Sequence, residues 1–341
     1  MKTPIGFSRA TSFVRARAAL LGLAATAALL AGCAPGFRYT HAPALQFRDF
    51  DYGFPVKTAL ADPRVAYIDT GSGPTTLLLI HGLAANAGFW REAIPELARS
   101  YRVIAVDLPG YGRSQKSTRY PYDMVFFAET LSKLIRELNL GTVVPVGHSM
   151  GGQIALTLAL RHPEQVPLLV LASPAGVESF KPGEGQWLAN ALTIQGMHDV
   201  DEEGIRRQLA MNFYSWNDRW EWLVEERARM ARADEMDEFG NAVLRSVHGM
   251  LDQPTTARLG DVKQPTLLVY GRFDGLIPNP YLHPGRTADV FRKAAAVMPD
   301  VKLVQLDQAG HMLILEKPAE FDKAVLDFLK AKLPEVAAAR P

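Results

Sequence analysis

Thr142-Val143-Val144-Pro145-Val146-Gly147-His148-Ser149-Met150-Gly151-Gly152 is the stretch on which the reading of this chain turns. Its first five residues are apolar or β-branched and read as a buried strand, while Met150 to Arg161 carries a helical pattern. The Gly-x-Ser-x-Gly between them sits where a strand must turn sharply into a helix. Such an elbow lifts a serine hydroxyl above the sheet at a helix N-terminus, and strand and helix then pass too closely for side chains. Gly147 and Gly151 leave that space. Ser149 is therefore the candidate nucleophile.

A serine hydroxyl is a weak nucleophile at neutral pH and needs a general base, which in turn needs an orienting carboxylate. Of the eight histidines, His311 in Gln308-Ala309-Gly310-His311-Met312 has the fitting place, after the last expected strand and before the last helix. Asp274, in Gly271-Arg272-Phe273-Asp274-Gly275, follows a strand rich in Leu, Val and Tyr and is the expected acid. Its rival is Glu178, just past the preceding strand, and its plainer role is to form the turn before Gly275. A tetrahedral intermediate also needs waiting backbone donors. His81-Gly82-Leu83 ends another buried strand, so the N–H of Leu83 and that of Met150 are the expected oxyanion donors. The His81 side chain reads as a structural hydrogen-bonding group, and Asp107 as a loop-organising carboxylate.

Outward from these motifs, short β-rich runs alternate with amphipathic ones. Strands are expected at Arg64–Asp69, Thr76–Ile80, Tyr101–Val106, Thr142–Val146, Pro167–Ala172, Thr266–Tyr270 and Val301–Leu306. Continuous runs such as Leu77-Leu78-Leu79-Ile80 belong to strands covered on both faces, which predicts an α/β fold with a mostly parallel sheet flanked by helices. Helices are expected at Phe89–Arg99, Tyr122–Leu138, Met150–Arg161, Thr287–Ala296 and Pro318–Lys332. From 177 to 258 no strand pattern is found, only helical runs such as Glu202–Asn212 and Arg219–Ala231. The expected organisation is a core of 56–176 and 259–333 with a helical cap at 177–258. The cap holds Trp187, Trp216, Trp220 and Trp222, whose commoner use would be ordinary core packing.

The 341 residues are 48% hydrophobic and 21% charged, enough to bury a large core. Lys and Arg number 37 against 36 Asp and Glu, with no basic stripe, so a nucleic-acid partner is not expected. No His-Glu-x-x-His, cysteine cluster or phosphate-cradling loop is present, so neither a metal nor a cofactor is expected. At the N-terminus, Lys2, Arg9, Arg15 and Arg17 precede or flank an uncharged run from Ala18 to Ala31. The run falls short of the ~20 residues of a membrane span and suits the apolar region of an export signal. Residues 33 to 55, with Pro35, Pro43 and Pro55 and no periodicity, read as a tether.

Leu30-Ala31-Gly32-Cys33 resembles the lipobox of bacterial lipoproteins, and Cys33 is the only cysteine. That resemblance implies a signal peptide over 1–32, lipidation at Cys33 and a membrane as partner. Residue 34 is Ala where inner-membrane retention calls for Asp, which implies the outer membrane within a bacterial cell envelope. Residues 56–333, with the elbow, Asp274, His311 and His81-Gly82-Leu83 in order, resemble the α/β-hydrolase superfamily, in its capped esterase, lipase and C–C hydrolase branch. The resemblance implies a serine hydrolase with Ser149, His311 and Asp274 as its triad, and the apolar cap and membrane tether suggest a small lipophilic ester or an acylglycerol as its substrate. Ser149 stands where related dehalogenases and epoxide hydrolases carry Asp. Meta-cleavage-product hydrolases share Ser-Met-Gly-Gly but commonly have Asn before the serine and Trp after the histidine, where this chain has His148 and Met312. C–C bond hydrolysis or perhydrolysis on the same triad is the alternative chemistry. A lipoprotein binding module without activity is the alternative of another class.

Overall fold

A computed structural model describes residues 38–339. The expected signal peptide and the lipidation site at Cys33 lie outside the described residues. Eight strands form one sheet: β1 (Val56–Ala59), β2 (Val65–Thr70), β3 (Thr75–Ile80), β4 (Arg102–Val106), β5 (Thr142–His148), β6 (Leu169–Ala172), β7 (Thr266–Gly271) and β8 (Val301–Leu306). Their order is β1-β2-β4-β3-β5-β6-β7-β8. β1 and β2 pair antiparallel with their neighbours, and every pairing from β4 to β8 is parallel. Every residue of β3, β6 and β7 is buried, as expected of strands covered on both faces.

Helices Met124–Glu137 and Met150–Arg161 pack on one another beside the sheet, and Pro318–Ala339 packs on β7 and β8. The first of these starts where the Asp123 carboxylate accepts the Phe126 N–H at 2.7 Å, an N-cap. It then buries Met124, Phe127, Leu131, Leu134 and Ile135, the stripe that three- and four-residue spacing puts on one face. The expected helix over Phe89–Arg99 is instead a 3-10 turn, Ala87–Trp90, and a short helix, Ile94–Leu97, with Pro95 in its first turn. Proline lacks the N–H that a continuous helix would need there.

Between β6 and β7 the chain leaves the sheet to build a helical cap: Glu184–Asn190, Ile194–Asp199, Glu202–Ala210, Glu221–Met230 and Met236–Asp252. Trp220 is buried there against Phe213, with ring centroids 4.4 Å apart, and Arg91 of the core lies 3.7 Å over the ring of Trp222.

The stretch expected to be a tether is, from residue 39 onward, packed down on the globule. Glu202 accepts the N–H groups of Tyr39 and Thr40. Arg232 donates to the carbonyls of Tyr39 and Thr40, at 3.1 and 2.6 Å, and Arg229 to that of Pro43 at 3.0 Å. Phe47, Phe50 and Tyr52 are then fully buried, and the Tyr52 hydroxyl donates to Asp107 at 2.8 Å. Three aromatic anchors turn an aperiodic, proline-punctuated segment into structure, because burying each removes a large apolar area from water.

Candidate active site

The elbow forms as its glycines require. A Cβ on Gly147 would stand 2.2 Å from the Gly151 carbonyl oxygen, and one on Gly151 would stand 2.2 Å from that of Ile80. Between them Ser149 has φ 54° and ψ −120°, a conformation L-residues rarely adopt. Its backbone is held from both sides: its N–H donates to Ala172 at 3.0 Å, and its carbonyl accepts from Gly152 and Ala175 at 2.9 Å each. The ends of β5 and β6 thus hold the serine at the head of the helix Met150–Arg161.

His311 follows β8 on a loop, and its Nδ1–H donates to Asp274 Oδ2 at 2.8 Å, both groups being buried. The other carboxylate oxygen of Asp274 accepts the N–H groups of Leu276 and Ile277, at 2.9 and 3.0 Å. Asp274 therefore forms the turn expected of it and grips the imidazole as well. Burial works to raise its carboxyl, but His311 and the Leu276 N–H outweigh that and hold it below the usual range. Nδ1 is thus engaged, and among the described residues Nε2 has no hydrogen-bond partner, Ser149 Oγ included. Glu178 does not approach His311: it accepts from Asn279 N–H at 2.8 Å and from His283 Nδ1.

Ser149 and His311 open on one cavity of about 1010 Å³, between core and cap. Gly82 passes so close to the serine that a Cβ on it would lie 3.1 Å from Ser149 Cβ. Leu83, next in the chain, lines the cavity. Among the described residues neither the Leu83 N–H nor the Met150 N–H meets a hydrogen-bond acceptor, so both dipoles are uncommitted. The cavity wall is largely apolar, with Phe180, Trp187, Leu188, Leu209, Met250 and Ile277 among its residues. Trp187 is the one cap tryptophan on that wall. No group of His, Cys, Asp and Glu fit to hold a metal occurs among the described residues, nor any helix long and apolar enough to cross a membrane.

His81 and Asp107 are structural, as read. His81 accepts from Leu108 N–H at 3.1 Å and donates to its neighbour Gly82 at 2.8 Å, and burial pushes its imidazole down to about 4. Asp107 accepts from Ala87 and Arg113 N–H and from Tyr52, and burial pushes its carboxyl up to about 6. Two residues at the site have contacts that the sequence does not mark. His148, stacked on Phe89 at 4.7 Å, donates from Nε2 to the His311 carbonyl at 2.9 Å. Burial, with His311 nearby, drives it down to about 3, so it stays neutral. Glu316 accepts from Gly310 N–H at 2.7 Å and from Tyr214 N–H at 2.8 Å, tying the His311 loop to the cap. Its place five residues after the histidine was the only available signal.

The family model for the alpha/beta hydrolase fold matches residues 75–318. A 2-hydroxy-6-oxononadienedioate/2-hydroxy-6-oxononatrienedioate hydrolase of Burkholderia vietnamiensis strain G4 is 30% identical over 277 residues, covering 78% of this chain and 91% of that one. Among solved structures, a "probable hydrolytic enzyme" from Pseudomonas aeruginosa PAO1 superposes with TM-score 0.72 at 29% identity, covering 84% of this chain and 99% of that one. A membrane phospholipase A, described as a bacterial virulence factor, superposes with TM-score 0.66 at 26% identity, covering 94% of this chain and 98% of that one.

Proposed function

The chain belongs to the α/β-hydrolase fold family, and from that premise we propose that it is a serine hydrolase of lipophilic carboxylic esters, such as a short acylglycerol or an aryl ester. Ser149 Oγ attacks the ester carbonyl while His311 Nε2 takes its proton, and Asp274 orients the imidazole and stabilises its charge. The N–H groups of Leu83 and Met150 receive the oxyanion. Collapse expels the alcohol, which leaves with the proton held on His311. Water, deprotonated by His311, then hydrolyses the acyl-Ser149 ester and restores the free hydroxyl, so the cycle consumes one water and no cofactor.

The observation that carries this reading is the wall of the cavity on which Ser149 and His311 open. Its side chains are mainly apolar, which suits an acyl or aryl group leaving water. The likeness to a membrane phospholipase A points the same way. C–C bond hydrolysis of a dienedioate is the second reading, favoured by the name of the Burkholderia relative. A dicarboxylate needs cationic partners. Arg227 is the one Lys or Arg on the wall among the described residues, and it already donates to the Ala84 carbonyl at 2.7 Å. The test is a panel of p-nitrophenyl esters from acetate to laurate beside 2-hydroxy-6-oxonona-2,4-dienedioate, with Ser149→Ala as control. Turnover of the longer esters, lost in the variant, is expected. Turnover of the dienedioate alone would give the second reading the place of the first.

The leader and Cys33 support the further proposal that the mature chain is carried on a membrane of the bacterial envelope by lipid on that cysteine. Cys33→Ser is expected to abolish incorporation of an alkynyl fatty acid and to free the protein from the membrane fraction. Unchanged labelling would end that proposal.

A further inference from the structure

The loop bearing the Leu83 N–H is gripped from three sides, and one grip comes from the cap. At its start His81 is fixed by Leu108 N–H, at 3.1 Å, and at its end the Ala87 N–H donates to Asp107 at 2.7 Å. Between them Ala84 has φ 54°, a left-handed conformation that a residue with a Cβ keeps only under constraint. Two consecutive residues of the cap helix Glu221–Met230 supply that constraint. Arg227 donates to the Ala84 carbonyl at 2.7 Å, and Glu226 accepts from Asn86 Nδ2 at 2.7 Å. Asn86 in turn caps the following turn by accepting from Gly88 N–H at 2.9 Å.

We propose that Arg227 and Glu226 are positioning residues for the reaction: through Ala84 and Asn86 the cap sets the direction of the Leu83 N–H. The inference rests on the reading of that N–H as an oxyanion donor. Preorganised donors act through orientation, and a peptide group turned away from the developing charge loses most of its effect while the rest of the site stays intact. On this proposal the Leu83 N–H meets only the oxygen of the reacting carbonyl, whereas the acyl or aryl body is held by the apolar side chains of the cavity. Loss of the grip therefore weakens transition-state binding and leaves ground-state binding in place. A merely adhesive contact between cap and core would give the opposite pattern, a loosened cavity with altered KM and lowered thermal stability.

The test compares the unaltered chain with Arg227→Met, Arg227→Lys and Glu226→Gln, using p-nitrophenyl butyrate. Three quantities are read: kcat, KM, and the inhibition constant of an aryl trifluoromethyl ketone, which forms a tetrahedral oxyanion on Ser149. Arg227→Met is expected to lower kcat by roughly 10- to 100-fold, with KM changed less than about threefold. The inhibition constant should rise in step with the fall in kcat. Arg227→Lys should recover part of both losses, and should report alone if the methionine variant does not fold. Glu226→Gln, which keeps an acceptor for Asn86, should fall between the unaltered enzyme and Arg227→Met. Changes in KM or melting temperature with kcat and inhibition constant unmoved would overturn the proposal and leave the esterase reading standing. An unaltered enzyme that neither turns over esters nor labels at Ser149 with a fluorophosphonate would overturn both.

Discussion

Glu316 accepts the backbone N–H of Gly310 at 2.7 Å, fixing the residue that leads directly into His311. The other oxygen of the same carboxylate takes the Tyr214 N–H, and Met312 N–H reaches the Asn212 carbonyl at 3.1 Å, so the imidazole loop and the cap share one clamp. Glu316→Ala leaves two backbone donors without their acceptor, at about 1–3 kcal/mol for each one that stays buried. Chemical denaturation should show that loss, and kcat should fall roughly tenfold as the imidazole loses its register. Undiminished kcat in a destabilised variant would separate the clamp from catalysis.

Asp274 offers a prediction with two readouts. Asp274→Asn keeps an acceptor for Leu276 but no longer matches the Nδ1–H tautomer of His311 or stabilises its charged form, and kcat should fall by roughly 10³- to 10⁴-fold. Because the folded carboxyl lies below its unfolded range, its ionised form adds stability above about pH 4. That stability is lost as pH falls through the folded value. The unfolding free energies of the two proteins should therefore differ at pH 7 and converge in acid. A gap that widens in acid would contradict the assignment.

Asp322 has the opposite sign. Its side chain is buried, Oδ1 has no hydrogen-bond partner among the described residues, and burial with Glu96 nearby pushes its carboxyl up to about 7. The folded state favours the protonated form, so stability falls as pH rises between the unfolded value near 4 and the folded one. Asp322→Asn escapes that loss. It should be more stable than the parent at pH 8, by roughly 1–2 kcal/mol once solvent screening is allowed for, with the difference vanishing toward pH 4. Melting curves at the two pH values decide it.

Gly151→Ala should be among the most damaging single changes. The added methyl would meet the Ile80 carbonyl at 2.2 Å and that of His81 at 2.6 Å, and backbone at both contacts leaves no side chain free to give way. Loss of more than about 3 kcal/mol, or failure to accumulate as soluble protein, is expected. A stable variant would mean that the elbow and β3 can separate.

The parts legible in the sequence share a physical cause. β3, β6 and β7 showed themselves because burial on both faces demands unbroken apolar runs, and Ser149, Asp274 and His311 stand out as candidates because glycine adjoins each on the loop or turn after a strand. β1 escaped the reading because it lies at the sheet edge and is half exposed or exposed throughout. The segment around Phe47 and Tyr52 looks like a tether in the sequence because isolated aromatic anchors leave no period behind. The contacts of Arg227 and Glu316 are hidden for another reason. Their partners Ala84 and Tyr214 lie 143 and 102 residues away, and no local pattern encodes such a pairing.

The folded N-terminal strap changes how the molecule transmits force. Because Glu202, Arg229 and Arg232 hold residues 39 to 43, a pull at Arg38 would reach the cap helices before the core anchors Phe47, Phe50 and Tyr52. The roof of the cavity and residues 39 to 43 are thereby tied together.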